Sequence, residues 1–194
     1  MLKDRLLNTI TMILFVVGAG CIVWVLMKDW STVKSASEMG NMDCVREKVV
    51  ETISDPHMEE AIPGGTNMRV FLNYYNCNSV SREDLVWFRF SDSIKPVVRI
   101  VKGVPGDRYE LQKLDDKKWS IKINGQAIKT KTGNDYFVES NSVPPLKTYE
   151  ISRKGILRDK EFILLSSNPP GLTDSSNLGL VKPEKLAGRV FGME

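Results

Sequence analysis

The feature that most limits what this chain can become is an uncharged run of twenty-two residues near its start, Leu6–Met27, LLNTITMILFVVGAGCIVWVLM. As a helix, that length rises about 33 Å, enough to cross the hydrocarbon core of a bilayer. Lys3 and Arg5 flank one end, and Lys28, Asp29 and Trp30 flank the other. A Trp just past the span suits an interfacial anchor. A cleaved signal peptide has a shorter apolar core with a small-x-small site after it, and no such site follows here. Gly-Ala-Gly precedes Cys21, as before a lipidated cysteine, but apolar residues continue beyond it. The run therefore reads as an uncleaved transmembrane anchor. Basic residues are nearly balanced across it, and the very short tail, residues 1–5, favours a cytoplasmic N-terminus with about 165 residues outside.

The net charge of +3 gives no argument for a nucleic-acid partner. KTK at 129–131 and KPEK at 182–185 read as solvated surface. Of three cysteines, Cys21 lies within the apolar run, and Cys44 and Cys77 lie beyond it. On an oxidising side these two can pair; two free thiols are the alternative. The one histidine, His57, sits in SDPHMEE, which reads as an exposed loop, and there is no Cys-x-x-Cys spacing. Neither a metal site nor a cofactor is expected.

Residues 28–61 read as a linker with one short juxtamembrane helix. In MDCVREKVVETI, Met42, Val45, Val49 and Ile53 recur at helical spacing, Asn41 is placed to cap the start, and Asp55-Pro56 to end it. Residues 62–194 form the second region. There the runs MRVFLNYY, LVWFRF, VVRIV, RYELQKL, WSIKI, YFV and FILLS are short and rich in β-branched and aromatic residues, with turn clusters between them. Asn124-Gly125 is the strongest hairpin signal. One further helical turn is expected near Pro183–Leu186. The fold class is mainly β, and strands at this spacing close into a barrel or sandwich to hide their edges.

The order of four motifs behind the anchor carries a family resemblance. VVRIVKGVPGDRYEL followed by WSIKINGQAI resembles the type I signal peptidases and their TraF-type, pilin-processing branch, in which a strand runs into a G-x-P-G-D turn and an I-N-G turn follows. EDLVWFRF resembles the preceding strand. FILLSSNPPGLTDSSNLGLVKPEKLAGRV resembles the closing box, matched at Asp174, Ser175, Gly179, Val181, Gly188 and Arg189. The resemblance covers about residues 62–194. It implies a signal-peptidase-like β domain facing the periplasm or exterior on a single-pass anchor in the inner membrane. In the PGD corner, Pro105 presets φ, Gly106 permits an unusual conformation, and Asp107 completes the turn.

The family's chemistry is a serine–lysine dyad in which a neutral lysine takes the serine proton. The serine lies in G-S-M-x-P-T-L. Here the matching place reads GGTNMRVFL: alignment on Met68 and Leu72 puts Asn67 in the slot, and alignment on Pro63 puts Thr66 there. Gly64, Gly65 and Met68 then become the residues that would touch substrate. The lysine's place, eight before Asp107, holds Arg99, which keeps its proton and cannot act as a base. Lys102 points to the opposite strand face and reaches the site only through a bulge or a one-residue slip. Asp174, retained from the closing box, is a candidate ion-pair partner for Arg99.

Three functions remain open at this point. The first is a signal-peptidase-like protein that has lost its dyad and binds signal-sequence or pilin-type precursors in an envelope assembly such as a conjugative secretion apparatus. The second is an active endopeptidase with Thr66 as nucleophile and Lys102 as base. The third is a single-pass envelope scaffold. The expected partners are the lipid bilayer, a precursor peptide or pilin-like protein, and secretion-apparatus proteins.

Overall fold

The computed structural model describes residues 39–91, 95–140 and 144–192. The apolar run 6–27 lies outside them, and no helix among the described residues is long and apolar enough to cross a membrane. The architecture below is that of the unit Asp43–Glu194.

The segment expected as a juxtamembrane helix is a strand, β1 (Glu47–Ile53). Val49, Val50, Thr52 and Ile53 put four β-branched side chains into five residues, which crowds a helix and suits a pleated surface. β1 pairs antiparallel with β2 (Thr66–Leu72) along its whole length, Val50 opposite Arg69. Val49 and Ile53 turn inward while Val50 stays exposed. There is thus no helix for Asn41 to cap. Asp55-Pro56 instead opens a 3-10 turn, Pro56–Met58, where the Asp55 carboxylate accepts from the His57 N–H at 2.9 Å.

The remaining strands fall where the β-rich runs lie, except a short one after the Asn124-Gly125 turn, Gln126–Ala127, and the last, Leu186–Gly192, whose LAGRVFG is not expected as a strand. β3 (Leu85–Phe88), β4 (Val97–Gly103), β9 (Ile163–Leu165) and β10 (Leu186–Gly192) join β1 and β2 in an antiparallel six-stranded sheet of order β1-β2-β10-β3-β4-β9. In a second sheet, β6 (Lys118–Ile123) pairs with β5 (Tyr109–Lys113), β7 (Gln126–Ala127) and β8 (Phe137–Glu139). Asn124 and Gly125 join β6 to β7 with φ of 52° and 81°, both positive as the tightest hairpin turns require. The expected turn near Pro183 is a 3-10 turn, Pro183–Lys185. Two short helices, α1 (Pro145–Arg153) and α2 (Ser175–Leu178), carry no sequence signal of amphipathicity; α1 buries only Leu146.

β9 links the layers. Ile163 and Leu165 pack with Tyr109, Ile121 and Tyr136 of the second sheet's core, whereas Leu164 faces Val86, Phe88 and Val101. A third cluster, built on Ile53, Met58, Met68, Trp87 and Ile100, fills the far end of the six-stranded sheet. Burying a side chain of this size contributes about 1.5–3 kcal/mol.

The PGD corner ties these layers together. Gly106 has φ of 90°, and the Asp107 N–H donates to the Val104 carbonyl at 3.1 Å. The Asp107 carboxylate accepts from the Val104 N–H, from Asn124 in the hairpin turn, and, through both oxygens, from Arg82 Nη2 at 2.7 Å. Burial alone would raise its pKa; the bonds from Val104, Asn124 and Arg82 outweigh burial and hold it below the ordinary carboxylate value. Cys44 and Cys77 are disulfide-bonded, joining the approach to β1 to the segment after β2.

Candidate functional site

Arg99 is the largest fully buried side chain among the described residues. β4 carries it, paired with β3 so that Arg99 lies opposite Val86. Its guanidinium is occupied from every side. Nη1 donates to Asp55 Oδ2 at 2.7 Å and to the Val98 carbonyl at 2.5 Å. Nη2 donates to the Leu172 carbonyl, and Nε to the Thr173 carbonyl at 3.2 Å. Three chain segments far apart in sequence are thereby fixed around one cation. Its carboxylate partner is Asp55, not Asp174 as the sequence suggests.

Asp174 is committed elsewhere. It caps α2, accepting from the Ser176 N–H and hydroxyl at 2.8 and 2.5 Å. Its other oxygen accepts from the Ser166 N–H and hydroxyl at 3.0 and 2.9 Å, and from Tyr136 at 3.3 Å. These neutral donors satisfy a wholly buried carboxylate without a cation. Burial first, and Asp174 second, push the Tyr136 phenol up, so it stays a proton donor.

Beside Arg99 lies a cavity of about 440 Å³. One wall is Thr52–His57 and the other Lys95–Arg99, with Trp87, Leu172 and Thr173 completing the lining. Thr52 and Ile53 end β1 and Val97–Arg99 open β4, while the rest of each wall is the turn after β1 and the residues before β4. Among the described residues β1 pairs only with β2, and β4 meets β9 only from Ile100 onward, so the edge of Val97–Arg99 on that side is unpaired. Lys95 reaches across to Glu51 on β1 at 3.1 Å. An unpaired edge offers backbone N–H and C=O groups to an extended peptide.

The other expected site residues are not among those that line this cavity. Thr66 opens β2 and donates its hydroxyl to the Pro63 carbonyl at 2.6 Å. Asn67 is exposed and accepts from the Thr52 hydroxyl at 2.7 Å. Met68 is buried in the core, and Gly64 and Gly65 form the exposed turn between β1 and β2. β2 pairs with β1 along its whole length, and with β10 on its other side from Met68 to Leu72. Lys102 does sit at a bulge, between Val101 and Gly103 in the pairing with β9. Its ammonium nevertheless goes to the Glu83 carboxylate at 2.8 and 3.0 Å. In the closing box, Gly188 lies where an added Cβ would come within 2.5 Å of the Phe71 carbonyl, and Arg189 binds Asp84 at 2.9 Å and the Tyr74 hydroxyl at 2.8 Å.

Two residues read otherwise from the sequence belong to the cavity: Asp55, expected only as a helix stop, and His57, expected in an exposed loop but half-buried, whose carbonyl accepts from the N–H groups of Ser167 and Asn168 at 2.9 and 3.0 Å. The signal for this turn is the pair Met58 and Ile62, four residues apart and both buried.

The family model for signal peptidase, peptidase S26, matches residues 6–193. The chain belongs to that family. A crystal structure of a signal peptidase I from Enterococcus faecalis is similar at 20% identity and a TM-score of 0.40, over 59% of this chain and 98% of that one. None of the curated proteins matches.

Proposed function

We infer that this protein binds signal-sequence or pilin-type precursors in the cleft between β1 and β4, and does not cleave them by serine–lysine chemistry. The observation that carries this reading is the Arg99 guanidinium. It occupies the place of the family's lysine, cannot give up its proton, and has its donors taken by Asp55 and three backbone carbonyls. The serine's slot in this reading is His57. Met58 and Ile62 repeat the spacing of the methionine and leucine in S-M-x-P-T-L, and His57 lines the same cavity as Arg99. A threonine peptidase built on Thr66 and Lys102 is less well supported, because each group is hydrogen-bonded elsewhere. The setting that suits the reading is an anchored protein of the inner membrane, facing the periplasm within a secretion assembly.

The test uses full-length protein in neutral detergent with a panel of signal-sequence and pilin precursors. Saturable binding without turnover is expected. Ser54→Trp, at an exposed position on the cleft wall, should abolish that binding while leaving the melting curve in place. Turnover lost in Thr66→Ala and Lys102→Ala would establish the peptidase instead. Absence of binding to any precursor would favour a scaffold.

A further inference from the structure

Lys129-Thr130-Lys131, solvated surface by sequence, closes one side of a second cleft. Two cavities of about 300 and 370 Å³ share Glu83, Lys102 and Lys129 and so adjoin one another. Lys131 lines the smaller, inner one, Arg82 the larger, outer one, and Lys102 both. Glu83 is the one carboxylate in the lining. Asp107 and Asp135, the partners of Arg82 and Lys129, lie outside the lining. Lys129 and Asp135 are both more than half exposed, and such pairs open at little cost.

Glu83 has an unusual place. Its φ is 68°, in the left-handed region that side chains adopt at a cost, and its side chain is 60% exposed. From there it covers the Lys102 ammonium, whose side chain is only 16% exposed. It is a tethered carboxylate at the mouth of a basic cleft. The inner end of the cleft is walled by Ala61 and Ser167. The Ala61 N–H donates to the Ser167 hydroxyl at 3.3 Å, and the Ser167 N–H donates to the His57 carbonyl at 2.9 Å. One turn, His57–Ile62, therefore separates this cleft from the one beside Arg99.

We propose that the basic cleft takes an acidic segment of the same precursor, whose carboxylates replace Glu83 on Lys102. This rests on the peptide-binding reading above and adds the substrate class: precursors with an acidic stretch beside the segment held between β1 and β4. Three lysines along the two adjoining cavities, Lys102, Lys129 and Lys131, fit a chain of carboxylates better than a single small anion.

The experiment measures anisotropy of a fluorescent oligo-glutamate peptide with the full chain in neutral detergent. Its oligo-glutamine counterpart is the control, and inorganic phosphate the small-anion competitor. Oligo-glutamate should bind, weaken with salt, and lose roughly tenfold in affinity in Lys129→Glu/Lys131→Glu. Glu83→Gln should tighten it, since the tethered competitor is gone; a merely structural Glu83 would not do so. Lys113→Glu/Lys117→Glu, on the distant β5–β6 turn, should behave as the parent. Ser54→Trp should leave oligo-glutamate binding intact, so this arm stands even where precursor binding in the other cleft fails. Equal binding of oligo-glutamine, no tightening in Glu83→Gln, or displacement of Glu83 by phosphate without oligo-glutamate binding would each overturn the proposal.

Discussion

Arg99 Nη1 lies 2.7 Å from Asp55 Oδ2, so a residue on β4 is fastened to the turn that follows β1, across the cleft between them. The side chains are 2% and 17% exposed. Removing one partner leaves the other charge with little water to turn to. Arg99→Ala and Asp55→Ala should each cost about 3–5 kcal/mol, measured by urea denaturation. The double variant should cost clearly less than the sum, because no unpaired charge remains. Single-variant losses near 0.5 kcal/mol, the scale of surface substitutions, would show the pair to be dispensable.

The same pair makes a demanding prediction about chemistry. If His57 and Arg99 hold the places of the serine and lysine, His57→Ser with Arg99→Lys restores the dyad's groups. It should still be inactive, because Asp55 would keep the new lysine charged. Adding Asp55→Ala removes that anion and lets burial lower the lysine pKa. Only the triple variant should cleave a precursor, detected as a product of defined mass. Activity in the double variant, or in Thr66-dependent form, would refute the assignment.

The limits of sequence reading here have a simple physical origin. Val45, Val49 and Ile53 are four apart, and four is a helical step but also an even number, so the same residues mark one face of a strand. Pairing with β2 decided the outcome. The nucleophile slot was ambiguous because GGTNMRVFL aligns either on Met68 and Leu72, giving Asn67, or on Pro63, giving Thr66, and neither residue lines the cavity beside Arg99, whereas His57 does. The strands of the PGD corner and the Asn124-Gly125 turn were legible because turn chemistry is local. The partner of Arg99 was not, since Asp55 lies forty-four residues away and nothing local marks the pair.

Asp107 gives the domain a pH dependence of predictable sign. Its folded carboxyl titrates below the ordinary value, so the unfolded chain binds the proton more readily. The resulting stability is present in full above the unfolded pKa and is lost as pH falls through the folded one. In thermal melts across acidic pH, the parent should therefore lead Asp107→Asn most at neutral pH, and the two should converge as the carboxyl protonates. A gap that stays constant with pH would mean that packing of the corner, not charge, accounts for the effect.

The disulfide between Cys44 and Cys77 encloses β1, the His57 turn and β2, and with them the whole Thr52–His57 wall of the cavity beside Arg99. With a sequence separation of 33, chain-entropy arguments give about 3–4 kcal/mol of stabilisation. Non-reducing peptide mapping should recover the two cysteines in one linked fragment. Reductant should lower the melting temperature of the parent, and Cys44→Ser/Cys77→Ser should show the same loss with no further response to reductant. Because β1 remains paired to β2 over seven residues, the reduced protein should keep its β signature in circular dichroism. Collapse of that signature on reduction would mean that the crosslink, and not strand pairing, holds the cleft wall in place.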